Sequence, residues 1–249
     1  MREKTEKPEN PAALISATEI PIIGKVKQIL TGCVFTGGEG PPLRQAAPHL
    51  AEAAVTVAAD SGLLLARRLG VFPDYLVGDM DSLPDRENLT EFPSGRVLRH
   101  PRDKDFTDTE LGVRLLREKG CGRIVILGAG GGRLDHLLAV HALFSRDPAP
   151  DLWLTDGEEV GLVRDRYVLR RWKGRLVSFF PLGPGPVRMR SRGLQWPLDT
   201  LEWGPGDFGV SNRVVEDPAE VVMVSGRLLA VRSWREEGME EGGPGPGGP

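Results

Sequence analysis

The chain has 249 residues, with 32 Lys+Arg against 35 Asp+Glu, a formal net charge of −3 and two cysteines. That length can bury one large core or two modest ones; the charge leaves no basic footprint for nucleic acid, and two cysteines cannot build a disulfide framework. No run approaches the roughly 18 apolar residues of a membrane-spanning helix, and no signal-type apolar stretch follows the charged start Met-Arg-Glu-Lys, so a cytoplasmic protein is expected.

Residues 1 to about 26 are polar or mixed without a period and read as a loosely ordered extension. From 27 to 155, short apolar strands alternate with helical patterns. Strands are predicted at 29–36, 54–59, 75–78, 96–99, 123–127 and 152–155, and helices at 43–53, 62–69, 108–119 and 134–146. Ile124-Val125-Ile126-Leu127 is continuously apolar, as expected of a parallel strand covered on both faces. The third helix opens on a capping box, Thr107 with Glu110, and stops at Gly120. Such alternation predicts a mainly parallel sheet in an α/β/α layer.

From 156 to 234 the pattern changes to short strands separated by Gly and Pro, at 160–163, 166–171, 175–180, 187–190, 208–214, 220–225 and 228–233. This half reads as an antiparallel β-sandwich. Ser225-Gly226-Arg227 is predicted to close a tight hairpin. The tail 235–249 is Glu-, Gly- and Pro-rich and is expected to be disordered.

The chemistry-bearing residues concentrate after the apolar runs of the first half. Asp60 ends Val-Ala-Ala-Asp; Asp79 and Asp81 sit in Val-Gly-Asp-Met-Asp-Ser82; Asp105 and Asp108 sit in Lys104-Asp-Phe-Thr-Asp. Acidic residues at strand ends face the crevice of an open α/β sheet. Carboxylates converging there need a cation between them, and Mg²⁺ carrying polyphosphate suits their hard oxygens. Turn and cap roles compete with that reading. Asp108 in particular sits in a first helical turn, where the dipole alone favours a carboxylate. Gly128-Ala-Gly-Gly131-Gly132-Arg133 leads from a buried strand into a helix, a place that favours an anion. It is neither a Walker A loop nor a dinucleotide fingerprint. His136 and His141 are five residues apart and do not share a helix face, which argues against a helical zinc pair. His141 reads as structural, while His136 and Asp135 lie beside the glycine loop. In the second half, Trp196 on its own reads as a core anchor, and Ser211-Asn212 as turn residues.

In this order the motifs resemble the thiamine pyrophosphokinase family. They are Ala59-Asp60-Ser61-Gly62, Pro73-Asp74 through Gly78-Asp79-Met80-Asp81-Ser82, Lys104-Asp105-Phe106-Thr107-Asp108, Gly131-Gly132-Arg133-Leu134-Asp135-His136, Gly193-Leu194-Gln195-Trp196-Pro197-Leu198, Ser211-Asn212, and Ser225-Gly226 through Arg232-Ser233. The resemblance spans roughly 29–234. It implies an α/β catalytic domain followed by a thiamine-binding sandwich, paired as a homodimer with sites at the subunit interface. It implies transfer of pyrophosphate from ATP to the thiamine hydroxyl, leaving AMP. On this resemblance Asp79, Asp81, Asp105 and Asp108 hold Mg²⁺ and polyphosphate, with Asp79 and Asp108 as first choices for direct ligands and Asp60 assisting. Arg133, Lys104, Ser82, Gly131 and Gly132 hold the nucleotide phosphates. Asp135 and His136 line the floor of the site, and Trp196, Ser211 and Asn212 meet thiamine. Ser61-Gly62-Leu63-Leu64 departs from the Gly-Gly-Ala-Asn of many relatives. A pterin-alcohol pyrophosphokinase would lack the Trp196 and Ser211-Asn212 segments, and a non-enzymatic sensor would have lost metal aspartates; neither loss is seen.

Overall fold

The computed structural model describes residues 29–83 and 86–234. The expected extension over 1–26 and tail over 235–249 lie outside the described residues. In chain order the first half runs β1 (Leu30–Phe35), α1 (Leu43–Ala51), β2 (Ala53–Ala59), α2 (Gly62–Arg68), β3 (Tyr75–Gly78), a 3-10 turn (Arg86–Glu91), β4 (Val97–Arg99), α3 (Asp108–Glu118), β5 (Cys121–Leu127), α4 (Leu134–Phe144) and β6 (Leu152–Leu154). The second half is all strand: β7 (Glu158–Val163), β8 (Arg166–Leu169), β9 (Leu176–Leu182), β10 (Val187–Arg192), β11 (Glu202–Trp203), β12 (Gly209–Arg213), β13 (Ala219–Ser225) and β14 (Arg227–Ser233). The predicted elements are all present. The 3-10 turn and β11, which have no periodic signal, are additions.

Ten strands form one sheet in the order β12-β9-β14-β7-β6-β5-β1-β2-β3-β4. From β6 to β4 every pairing is parallel, and from β6 through β12 every pairing is antiparallel. A second sheet, β11-β10-β13-β8, is wholly antiparallel. The fold is thus an N-terminal α/β unit running into a C-terminal antiparallel β unit. The same large sheet passes through both.

Side-chain alternation explains how this sheet is covered. On β1 and β5, Val34, Ile124 and Ile126 point to the face covered by α3 and α4, while Cys33, Phe35, Val125 and Leu127 point to the face covered by α1 and α2. The first of these cores continues into the antiparallel strands, where Phe180, Leu182 and Leu229 pack against it. On the opposite face the helices give way to the small sheet, which meets Val177, Phe179, Leu228 and Ala230. One sheet therefore has two kinds of cover, and α4 packs on a core shared by both units.

The tight connection at Ser225-Gly226-Arg227 is not a hairpin. β13 pairs with β10 and β8 in the small sheet, whereas β14 pairs with β7 and β9 in the large one. The turn carries the chain across the sandwich, because each strand buries its apolar side in the shared core between the sheets. The capping box of α3 forms only in half. Thr107 Oγ1 accepts from the Glu110 amide at 3.2 Å, but the Glu110 carboxylate is drawn away to Arg114 and Arg146.

Phe144, fully buried on α4, is a direct test of the shared core. Phe144→Ala is expected to cost about 3–5 kcal/mol of stability. Urea unfolding reads this as a lower midpoint at unchanged slope.

Candidate active site

The sheet reverses its strand order between β1 and β5, and the loops after the parallel strands gather there. Such a reversal opens a crevice at the carboxyl ends of the strands. Asp60 follows β2, Asp79 follows β3 and Asp108 opens α3. The three offer carboxylate oxygens that all lie within 4.8 Å of one another, each on a half-buried residue. The backbone is shaped to allow this. Asp60 and Met80 take left-handed φ values of 45° and 65°, a conformation that non-glycine residues adopt only at some cost. The buried Met80 side chain enters an apolar cluster with Leu63 and Leu76, and so separates Asp79 from Asp81. Gly78 has φ 138°, and a Cβ there would stand 3.1 Å from both Asp108 Oδ1 and Asp60 Cβ. A side chain at Gly78 would crowd both residues and sit on strained backbone.

Lys104 is the cation of this cluster. Its Nζ lies 3.2 Å from Asp108 Oδ1 and 3.8 Å from Asp79 Oδ2, and donates to the Pro101 carbonyl at 3.0 Å. One lysine cannot offset three carboxylates. Asp60 Oδ1 and Asp108 Oδ1 are buried and have no well-aligned hydrogen-bond donor. Burial pushes the Asp108 carboxyl above its ordinary value; Lys104 works against this, and Asp60 and Asp79 add to the rise. Converging hard oxygens with unsatisfied lone pairs fit a divalent cation such as Mg²⁺.

The remaining residues singled out in the sequence are distributed around this centre. Asp81 is exposed, with Arg102 at 3.9 Å, and its amide donates to Asp79 Oδ1 at 3.0 Å. Asp105 and Ser82 are also exposed, and neither Asp81 nor Asp105 belongs to the three-oxygen group. The glycine loop is partly committed to the fold. The amides of Gly128, Ala129 and Gly130 donate to the carbonyls of Leu154, Gly37 and Glu39 at 2.8–2.9 Å. Gly131 and Gly132, both exposed with positive φ, follow that anchored portion. Arg133 and Asp135 form an exposed two-point ion pair, at 3.1 and 2.5 Å. Each holds the other in its charged form, Asp135 below and Arg133 above its ordinary value. His136 and His141 are exposed on α4.

Trp196 is not a core anchor; it is 55% exposed, and the buried tryptophan of the sandwich core is Trp203. The ring is presented outward because its backbone is clasped by buried Asn212. Asn212 Oδ1 accepts from the Trp196 amide at 3.2 Å, and its Nδ2 donates to the Trp196 carbonyl at 2.7 Å. Ser211 is exposed at a bulge of β12 with φ 58°. Sequence reasoning passed over Asn212's service to Trp196. No local signal marks a contact between residues 16 positions apart.

Two sequence-family models match the chain: "Thiamin pyrophosphokinase, catalytic domain" over 47–151 and "Thiamin pyrophosphokinase, vitamin B1 binding domain" over 164–228. Among curated proteins it is 26% identical over 183 residues to Thiamine pyrophosphokinase 1 of Oryza sativa subsp. japonica, covering 68% of this chain and 69% of that one. It is 23% identical to the Thiamine pyrophosphokinase of Bacillus subtilis over 184 residues, 71% of this chain and 86% of that one. The crystal structure of the Bacillus subtilis enzyme superposes with a TM-score of 0.69 at 23% identity, covering 82% of this chain and 98% of that one. An Enterococcus faecalis family member superposes at 0.68 and 22% identity, covering 83% and 100%. These structures share the fold described above.

The raised carboxyl of Asp108 has a stability consequence. A carboxylic acid whose folded-state pKa lies above its ordinary value contributes fully below that value, near 3.8, and loses the contribution as pH rises through the folded-state value. At neutral pH the charged form is a liability. Asp108→Asn is therefore expected to raise the melting temperature of metal-free protein at pH 7. The difference should vanish below pH 3.8. Scanning calorimetry in chelator across pH checks both the sign and the window.

Proposed function

Because the chain belongs to the thiamine pyrophosphokinase family, we propose that it transfers the β,γ-pyrophosphoryl group of ATP to the hydroxyl of thiamine, giving thiamine diphosphate and AMP. The observation that carries this reading is the convergence of the Asp60, Asp79 and Asp108 carboxylate oxygens beside one lysine, Lys104, at the carboxyl edge of the parallel strands. In the reaction the thiamine oxygen bonds to the β-phosphorus. The bond from that phosphorus to the α,β-bridging oxygen breaks, and the hydroxyl proton leaves to water.

Asp79 and Asp108, with Asp60 beside them, are the residues to hold Mg²⁺. Asp81 and Asp105 on the exposed rim extend the acidic set toward the polyphosphate. When bound, the ion offsets the charge of the phosphates and polarises the phosphorus attacked. The chain's own contribution is position and field. Lys104, already poised between two carboxylates, supplies a cation to phosphate oxygens. Gly131 and Gly132 let the backbone approach the polyphosphate, with Ser82 beside the acidic loop. Arg133, exposed beside the glycine loop and paired with Asp135, is a second phosphate contact. Asp135 and His136, in the first turn of α4, border the transferred group.

Thiamine recognition is assigned to the second half, within the division 27–155 for catalysis and 156–234 for thiamine. The exposed Trp196 ring suits the pyrimidine and the cationic thiazolium. Asn212 holds the Trp196 backbone in place, and Ser211 offers a hydroxyl at the adjacent bulge. We assign the working unit as a homodimer, with Trp196 of the partner subunit completing each site. Exposed Leu134 and Leu138 on α4 and Phe208 and Val210 beside Ser211 supply apolar surface for such pairing.

Purified protein with thiamine, ATP and Mg²⁺ should yield AMP and thiamine diphosphate in equal amounts, resolved by ion-exchange chromatography. ADP with thiamine monophosphate would indicate single phosphoryl transfer and reject the reading. Asp79→Asn and Asp108→Asn should each lower kcat by about 100-fold or more while the protein stays folded.

Trp196→Ala should raise the KM for thiamine far more than that for ATP. Mixing Trp196→Ala with Asp79→Asn protein should restore activity once subunits exchange, because one of the two sites then combines an intact tryptophan with an intact aspartate. Mass-tagged mixed dimers without activity would place both residues in one subunit's site.

A further inference from the structure

Among the described residues, six polar or charged ones are buried, and three of them, Thr36, Thr109 and Glu110, meet at the first turn of α3. None belongs to the carboxylate group, yet Thr109 and Glu110 directly follow Asp108 in the first turn of α3 and Thr36 bonds to Thr109. Thr36 follows β1 at the point where the strand order reverses. Its amide donates to the Leu127 carbonyl at 2.9 Å. Its own carbonyl is so close to Gly128 that a Cβ there would come within 2.3 Å of the oxygen. Its Cα would be 2.8 Å from a Cβ on Gly62, the residue two places past Asp60. Its hydroxyl lies 2.6 Å from that of Thr109, the residue next to Asp108. Thr36 thus touches the start of α2, the glycine loop and the start of α3, three segments that carry site residues.

The hydroxyl pair is not needed to fill space, since valine has the shape of threonine and brings no polar atom to bury. Nor does it cap α3, a task Thr107 performs. Its distinctive property is direction: a short hydrogen bond fixes the height and rotation of the helix start relative to β1. From the other side, Glu110 Oε1 accepts from Arg114 at 3.0 and 3.2 Å and from Arg146, just past α4, at 2.6 Å. The first turn of α3 is clamped between the central strand and the end of the next helix. Asp108, whose Oδ1 has no well-aligned donor of its own, takes its position from that turn.

We propose that Thr36 and Thr109 are positioning residues, whose hydroxyl pair sets the Asp108 carboxylate against Asp60 and Asp79. The inference rests on the reading of that group as the metal and polyphosphate centre.

The test uses paired substitutions in the full chain. Thr36→Val or Thr109→Val alone leaves one buried hydroxyl unpaired and is expected to lower the melting temperature. The double variant Thr36→Val/Thr109→Val removes both hydroxyls together and is expected to melt above either single variant. Despite that recovery, its kcat should stay about 10- to 100-fold below wild type, the scale of a misplaced catalytic group, with the KM for thiamine unchanged. Its affinity for Mn²⁺ without nucleotide, read by electron paramagnetic resonance, should fall several-fold. Thr36→Ser/Thr109→Ser keeps both hydroxyls and should retain wild-type kcat and Mn²⁺ affinity. A double valine variant with wild-type kcat and Mn²⁺ affinity overturns the proposal, as does a serine pair as impaired as the valine pair. Wild-type protein that binds Mn²⁺ but transfers no pyrophosphoryl group would refute the assigned reaction, and the Mn²⁺ comparison would still decide the positioning role. Wild-type protein that binds no Mn²⁺ without nucleotide overturns the positioning proposal, and the AMP assay then decides the reaction on its own.

Discussion

Carboxylates held close together are the constraint around which the carboxyl edge of the parallel strands is arranged. Unit charges about 5 Å apart, at an effective dielectric of about 20, repel by roughly 3 kcal/mol per pair. Lys104 lies between two of the three carboxylates of Asp60, Asp79 and Asp108 and takes up part of that repulsion. A surface loop would relieve the strain by swinging a side chain into water. Here each carboxylate is anchored to a rigid element. Asp60 follows β2, Asp79 is turned inward by the buried Met80 beside it, and Asp108 is carried by the clamped start of α3. The backbone is also left-handed at Asp60 and Met80. Strain of this kind survives only where the surrounding structure over-determines it.

That over-determination comes from the sheet. β1 lies in the middle of the parallel region, and its end at Phe35 and Thr36 is where three site segments converge. Covering the parallel strands on both faces makes them a stiff base for the loops. Extending the sheet into the antiparallel half joins the thiamine-binding unit to that base through ordinary ladder bonds, β6 to β7 and β7 to β14. Trp196 is placed differently, through the side-chain clasp of Asn212 on its backbone. The clustered carboxylates are thus held by strand ends and a helix turn, and the exposed Trp196 by one buried amide. The second arrangement suits a surface that has to meet a partner or a substrate.

Much of this was legible in the sequence because the relevant physics is local. Apolar periodicity marked each strand and helix of the first half, since burial on one or two faces imposes its period directly on the chain. The same is true of the acidic residues after the strands: the sequence marks Asp60, Asp79 and Asp108 as candidates by their place after apolar runs. The errors have a common cause. Ser225-Gly226-Arg227 has the chemistry of a hairpin turn, yet β13 and β14 enter different sheets, because pairing partners are chosen by the whole core. Glu110 has the spacing of a capping box, yet Arg146, 36 positions away, competes for its carboxylate. Trp196 has the composition of a core residue, yet Trp203 fills the core.

By itself, then, the sequence determined the elements, their α/β-then-β order and the residue types able to bind a metal polyphosphate, because propensity, periodicity and side-chain chemistry act within a few residues. Only the tertiary structure decided which carboxylates share one centre. It brought Asp60, Asp79 and Asp108 together, left Asp81 and Asp105 on the exposed rim, and committed three amides of the glycine loop to neighbouring carbonyls. Those outcomes depend on which strand lies beside which and on which oxygen is left without a donor. Both are properties of long-range packing, to which no short stretch of the chain carries a signal.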